Sequence, residues 1–242
     1  RKKKNTLKLA EKAVKLLERD YIRNYCILEM LKASENPDID ILNESVFIRP
    51  KDQGSFVMLS APDRKDGEAL LGKNLTRDDK AFYTIGSWPS LTEGKKARFH
   101  SECVQLYVPQ SVPVTEDEEG IITLTGDMAP YIHEPYDHKD VVTEEYIRGR
   151  VRKGPALGIM DHGVLTGWVM THDEGTMGVL TVLPQYRRKG YASKLTSALI
   201  RRLRTLGKPC IAHITKENVP SLTMSKKLGM FYSCDVDWIF HG

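Results

Sequence analysis

The chain has 242 residues, a formal net charge of +4 and 40% apolar side chains, enough for one large core or two smaller ones and too much for disorder throughout. No apolar run reaches the roughly 20 residues that cross a bilayer, and no tripartite leader opens the sequence, so a soluble, cytoplasmic protein without a membrane partner is expected. The small positive balance comes largely from Arg1-Lys2-Lys3-Lys4 and from Arg201, Arg202 and Arg204, without the interleaved basic and aromatic stripe that a nucleic-acid partner needs.

From Leu7 to about Leu31 apolar residues recur at helical spacing, which predicts one or two amphipathic helices. Asn36-Pro37-Asp38 breaks the pattern. Ser45 to Ile48 and Ser55 to Ser60 favour strands and are separated by a turn over Lys51-Asp52-Gln53-Gly54. Cys103 to Val108 reads as a strand closed by Pro109. Pro113 and the acidic run Glu116-Asp117-Glu118-Glu119-Gly120 then suggest a linker, dividing the chain into residues 1–115 and 116–242; a solvated loop within one continuous domain is the other reading.

Past that point Ile121 to Leu124 predicts a strand, Thr143 to Val151 a helix, and Ala156 to Met160 with Leu165 to Met170 a hairpin turning at Asp161-His162-Gly163. Thr176 to Val182 predicts another strand, stopped by Pro184, which cannot donate to a sheet ladder. The four cysteines, Cys26, Cys103, Cys210 and Cys234, form no CxxC pair and have no His at zinc-ligand spacing, so reduced thiols and no metal are expected. No internal sequence repeat is visible, although two halves of similar architecture could have diverged.

The segment after Pro184 carries the chemistry. Gln185-Tyr186-Arg187-Arg188-Lys189-Gly190-Tyr191-Ala192 leads from a strand into a helix, where Ala192, Leu195, Leu199, Leu203 and Leu206 share one face and Gly207 supplies a stop. A helix that opens behind a Gly-containing loop presents unpaired N–H groups and the positive end of its dipole, which suit a phosphate. Gly190 and Ala192 keep side chains away from such a ligand. The same spacing occurs at Arg64-Lys65-Asp66-Gly67-Glu68-Ala69, but Gly72, Asn74 and Asp78-Asp79 interrupt any long helix downstream of it, and Asp66-Gly67 is expected to be a turn.

Arg-x-x-Gly-x-Ala after a strand resembles the coenzyme A signature of the GNAT superfamily of N-acetyltransferases. Downstream, Pro209 to Ile214 reads as a strand, and Asn218 to Met230, ending Lys227-Leu228-Gly229-Met230, resembles that superfamily's closing helix motif. Leu183-Pro184-Gln185-Tyr186-Arg187 and Ala212-His213-Ile214-Thr215-Lys216-Glu217-Asn218 are similar to phrases of the glycine N-acyltransferase group. The clear resemblance spans about Gly154 to Gly242 and implies an α+β fold with a mixed central sheet flanked by helices, in tandem with a degenerate half of the same kind at the amino-terminal end. It also implies acetyl-CoA or another short acyl-CoA as co-substrate, without metal, and an amine or amino-acid acceptor attacking the thioester directly.

By that resemblance Leu180, Val182, Arg187, Arg188, Lys189, Gly190, Tyr191, Ala192, Asn218 and Ser221 bind the coenzyme, with the backbone N–H at or near Val182 polarising the thioester carbonyl. The base is open. Thr176 stands where the group carries Glu; Glu174, two residues earlier and on the same facing, either serves as base or is a solvated hairpin carboxylate beside Asp173 and Gly175. His213 either takes the ammonium proton or is a hydrogen-bonded core histidine. Ser225 occupies the place of the Tyr that protonates the thiolate, so another group or solvent does this, or turnover is reduced; Tyr232 is a substitute by type. Cys210 reads as a buried strand thiol rather than a nucleophile. A coenzyme-binding sensor or interaction module with little turnover is the alternative to an enzyme.

Overall fold

The computed structural model describes residues 2–51, 56–94, 96–136, 139 and 142–242, with side chains described from residue 7. Residues 52–54 of the expected first turn and the side chains of the opening basic cluster lie outside it. The elements in chain order are α1 (Lys2–Leu17), α2 (Tyr21–Ala33), β1 (Pro37–Leu42), β2 (Ser45–Pro50), β3 (Phe56–Ser60), α3 (Arg64–Asn74), β4 (Ala81–Ile85), α4 (Pro89–Thr92) and β5 (Ala97–Val108). There follow β6 (Ile121–Thr123), α5 (Ala129–His133), α6 (Glu144–Lys153), β7 (Ala156–Asp161), β8 (Val164–Thr171), β9 (Met177–Val182), α7 (Tyr191–Thr205), β10 (Cys210–Thr215), α8 (Val219–Lys227) and β11 (Phe231–His241).

Two compact units emerge. One comprises Arg1–Gln105, His213–Val219 and Tyr232–Gly242, the other Leu106–Ala212 and Pro220–Phe231. The expected segments were 1–115 and 116–242; the compact units interleave instead, because β11 pairs antiparallel with β4, from Val236↔Ile85 to Phe240↔Ala81. That ladder draws the last strand into the first unit. The acidic run read as a linker lies inside the second unit, where Asp117 pairs with Lys194 at 2.8 Å and Glu118 with Arg201 at 2.8 Å.

Taken separately, the units share one plan. In the first, β1, β2 and β3 are antiparallel neighbours, α3 comes next, and β4 returns parallel to β3. In the second, β7, β8 and β9 are antiparallel neighbours, α7 comes next, and β10 returns parallel to β9; β6 adds an outer antiparallel strand beside β7. A helix pair precedes each set: α1 and α2 in one, α5 and α6 in the other. The fold is thus mixed α+β, and the architecture recurs where the sequence does not.

Each unit has its own core. Phe47, Leu59, Leu70, Phe82, Trp88 and Ile239 close the first; Ala129, Ile147, Leu165, Trp168, Met170 and Val179 close the second. Strand β8 is buried from Leu165 to Thr171, as a strand covered on both faces should be. The β7–β8 hairpin turns where expected, with His162 at φ 48° and Gly163 at φ 80°, the left-handed pair that matches sheet twist. Thr143 caps α6 by accepting from the Tyr146 N–H at 3.1 Å, a contact worth about 1 kcal/mol.

The helical pattern breaks as expected, α2 ending at Ala33 and Pro37 opening β1. One expectation needs correction: Asp66-Gly67 lies within helix α3 rather than in a turn. The helix forms because Asp63 caps it, accepting from the Asp66 N–H at 3.0 Å. Position 67 is glycine because the Trp88 ring occupies the space beside it: a Cβ there would lie 2.1 Å from the ring. Replacing Gly67 by Val should therefore cost about 1–3 kcal/mol through overpacking, read as a lower midpoint in urea unfolding; an unchanged midpoint would contradict this packing.

Candidate acyl-coenzyme site

Strand β9 is irregular where the expected site begins. On its β8 side Gly178 pairs with Met170 and Thr181 with Trp168, so Val179 and Leu180 together face one residue, a β-bulge. Val179 adopts φ 51°, which a β-branched side chain resists. The bulge turns the backbone amides of this stretch away from the regular ladder. Toward β10 the parallel pairing is Met177↔Ala212. Gly167 allows close approach: a Cβ there would lie 2.8 Å from the Thr181 carbonyl oxygen.

Beyond β9 a single 3-10 turn, Pro184–Tyr186, leads to the loop, and the Arg187 Nε–H donates to the Val182 carbonyl at 3.1 Å. Arg188 at φ 63° and Gly190 at φ 84° are both left-handed, and Gly190 is the residue from which α7 starts. The Lys194 N–H closes the first intrahelical bond, to the Gly190 carbonyl at 3.0 Å. The N–H groups of Tyr191, Ala192 and Ser193 therefore have no acceptor within the helix, and no side chain caps its start. Together with the helix dipole they present a partial positive charge of the kind that suits an anion, and Arg187, Arg188, Lys189 and Gly190 are all exposed around it. Gly190 is small for a sharper reason than clearance: its φ excludes most side chains, while a Cβ would meet nothing within 4 Å.

The loop is tethered by Asp161, which accepts from the Tyr191 hydroxyl at 2.8 Å and from Lys189 at 3.2 Å. Lys189 also sits 5.1 Å from the Tyr186 ring centre and 5.8 Å from that of Tyr191. The Tyr191 hydroxyl first, and Lys189 second, hold the Asp161 carboxyl below the usual carboxylate range. A lowered folded pKa means that the tether's contribution is present above the ordinary aspartate pKa and is lost as pH falls through the folded value, so it is intact at neutrality.

The second unit carries Glu174, Leu180, Val182, residues 187–192, Ser221 and Ser225; His213 and Asn218 belong to the first unit's segment His213–Val219. Glu174 is 8% exposed, so it is no solvated carboxylate, and it accepts from the Thr176 hydroxyl at 2.6 Å. Its turn is anchored by Arg150, which is buried on α6 and donates to the Thr171 carbonyl at 2.7 Å and to Asp173 at 2.6 Å. Ser225 is buried on α8, whereas Ser221 is half-buried and Asn218 exposed.

His213 has both ring nitrogens engaged within the first unit. The Trp238 indole N–H donates to Nδ1 at 3.2 Å, so Nδ1 carries no proton and Nε2 does, facing the Gln105 carbonyl oxygen at 3.0 Å. Gln105 is fixed in that orientation because its amide nitrogen donates to the Ile22 carbonyl at 2.9 Å. Tyr83 stacks on the ring at 5.6 Å, completing a polar core cluster. Tyr232 is exposed, with its hydroxyl on Asp235 at 3.1 Å. Burial pushes the Cys210 thiol up to about 11, which leaves it protonated and without a nucleophile's role.

Sequence reasoning missed three participants. Asp161 was read only as a turn residue, and its tether spans 30 residues to Tyr191. The bulge at Val179 leaves no residue-type signature. His172 packs over Gly178, where a Cβ would lie 2.1 Å from Nε2, and shares a 2.9 Å hydrogen bond with the Tyr146 hydroxyl. Burial first, then Glu174, raises the Tyr146 pKa, so that hydroxyl remains protonated.

Residues 156–239 match a family model described as FR47-like protein. No curated protein matches the chain. Among solved structures, a Drosophila protein is similar over 96% of each chain, with 17% identity and a TM-score of 0.76. A GCN5-related N-acetyltransferase from Kribbella flavida is similar over 92% of this chain and 95% of its own, at 13% identity and a TM-score of 0.60. A putative GNAT-family acetyltransferase from Novosphingobium aromaticivorans covers 80% of this chain and 86% of its own, at 18% identity and a TM-score of 0.56. None of these points to the glycine N-acyltransferase group. What they establish, with the bulged strand and the uncapped helix, is that the chain has the GNAT acetyltransferase fold.

Proposed function

We propose that this protein transfers an acetyl or short acyl group from acyl-CoA to the amine of a small molecule or amino acid. The observation that carries the reading is the uncapped start of α7, where free N–H groups succeed the left-handed Gly190. A diphosphate is the coenzyme group such a cradle suits, with Arg187, Arg188 and Lys189 supplying cations at its rim. From the loop, β9 runs back through six residues, about 20 Å at 3.3 Å per residue. An extended pantetheine arm laid along this stretch would pass the bulge in the direction of Glu174, which precedes the strand.

In this reading Leu180 and Val182 offer backbone groups along the pantetheine arm, and a bulge amide polarises the thioester carbonyl. Ser221 is assigned to the same arm by the motif resemblance alone. Glu174 is the proposed base, because its carboxylate has one lone pair bound by Thr176 and others remaining, while both His213 nitrogens are committed. The amine nitrogen bonds to the acyl carbon, the carbon–sulfur bond breaks, Glu174 accepts the ammonium proton, and the thiolate takes a proton from solvent. Ser225 is assigned no acid role, since its environment is closed to solvent. No metal is needed for these steps.

The second reading, a coenzyme-binding module with little turnover, is favoured by the occupied His213 and the serine at position 225. Thiol release from acetyl-CoA across a panel of small amines and amino acids separates the two: release stimulated by an amine supports the transferase, and tight coenzyme binding without it supports the module.

Gly190→Val should weaken acetyl-CoA binding by a factor of about ten or more, roughly 1.4 kcal/mol, while circular dichroism stays native; unchanged affinity by calorimetry refutes the assigned loop. Arg188→Ala should weaken binding and flatten its dependence on salt, as loss of an exposed phosphate contact requires. If Glu174 is the base, Glu174→Gln should lower kcat by about 10²- to 10⁴-fold with coenzyme affinity retained. Full turnover in that variant would remove Glu174 from the mechanism.

A further inference from the structure

The first unit holds a constellation that the acyl-coenzyme reading does not use. His100 and Glu102 lie two positions apart on β5 and therefore on one face, and Asp237 stands on β11, the neighbouring strand. One ligand atom from each of the three lies within 4.8 Å of the other two. His100 Nε2 and Asp237 Oδ2 are 3.4 Å apart. Two atoms bound tetrahedrally to one ion at about 2.1 Å would be separated by about 3.4 Å.

Charge points the same way. Asp237 is 3% exposed and shares a side-chain hydrogen bond with Ser87. A buried carboxylate without a cation is costly, and its nearest basic group is an imidazole that is neutral unless protonated. Lys216 is close enough to influence Glu102 and Asp237 but is held by Asp235 at 2.9 Å. With Lys216 held by Asp235, the carboxylates of Glu102 and Asp237 remain as a donor pair that a divalent ion suits.

We propose that His100, Glu102 and Asp237 bind a divalent transition-metal ion, with zinc the best match to one imidazole nitrogen and two carboxylate oxygens and with water in the remaining position. The ion would staple β5 to the last strand. Cysteine and local histidine spacing could not reveal such a site, since His100 and Asp237 are 137 residues apart.

The test is titration of chelator-stripped full-length protein with zinc chloride by calorimetry, alongside thermal unfolding. One zinc per chain and a raised unfolding temperature are expected. His100→Ala and Glu102→Gln, both at exposed positions, should each weaken binding by about tenfold or more, the loss that even an outer-shell change produces. Cobalt loaded into the same site should show d–d bands without thiolate charge transfer. Zinc uptake unaffected by both substitutions, a thiolate band with cobalt, or no uptake by the unaltered protein would each overturn the proposal. All of these readouts are independent of coenzyme binding, so they stand or fall apart from the transferase reading.

Discussion

The left-handed backbone at Gly190 is the constraint on which the proposed acyl-coenzyme site depends. A helix start is an anion site only if nothing else satisfies its first N–H groups. Here the chain enters the helix from a conformation that positions no Ser, Thr or Asp side chain to cap it, so those groups remain available. The neighbouring arrangements depend on that choice. Asp161 holds the loop through Tyr191 and Lys189, and the apolar face of α7 buries Leu195, Leu199 and Leu203, fixing the direction in which the exposed N–H groups point.

The first unit is the internal control. It has the same order of strands and the same Arg-x-x-Gly-x-Ala spacing after a strand, yet its helix α3 starts with Asp63 as cap and Asp66 in the first turn. One carboxylate already occupies the N–H groups, and the other adds negative charge where a phosphate would lie. Gly67 serves Trp88 rather than a ligand. A shared letter pattern thus produces an uncapped helix start in one unit and a capped, packed one in the other, and the difference lies in the capping residue.

Much of the second unit was legible in sequence, because its signals are local: the Asp161-His162-Gly163 hairpin, the Pro184 stop, the amphipathic period of α7 and the glycine before it. The first unit was less so. Helix α3 was hidden because Gly67 reads as a breaker until the Trp88 ring explains it, and β4 is only five residues long. At the candidate site, residue type singled out the loop but not the bulge at Val179 or the Asp161 tether, which depend on register and on contacts distant in sequence. His213 was equivocal for the same reason: only the Trp238 N–H on Nδ1 reveals which tautomer it holds.

The ladder between β4 and β11 bears on how the chain is made. The first unit's sheet needs residues at 81–85 and at 236–240, and everything in the second unit is synthesised between them. On the ribosome the amino-terminal unit therefore waits with the β4 edge unpaired, a template for wrong partners, while the second unit can complete its own core. The first unit's sheet is thus completed only after every residue of the second unit has been made.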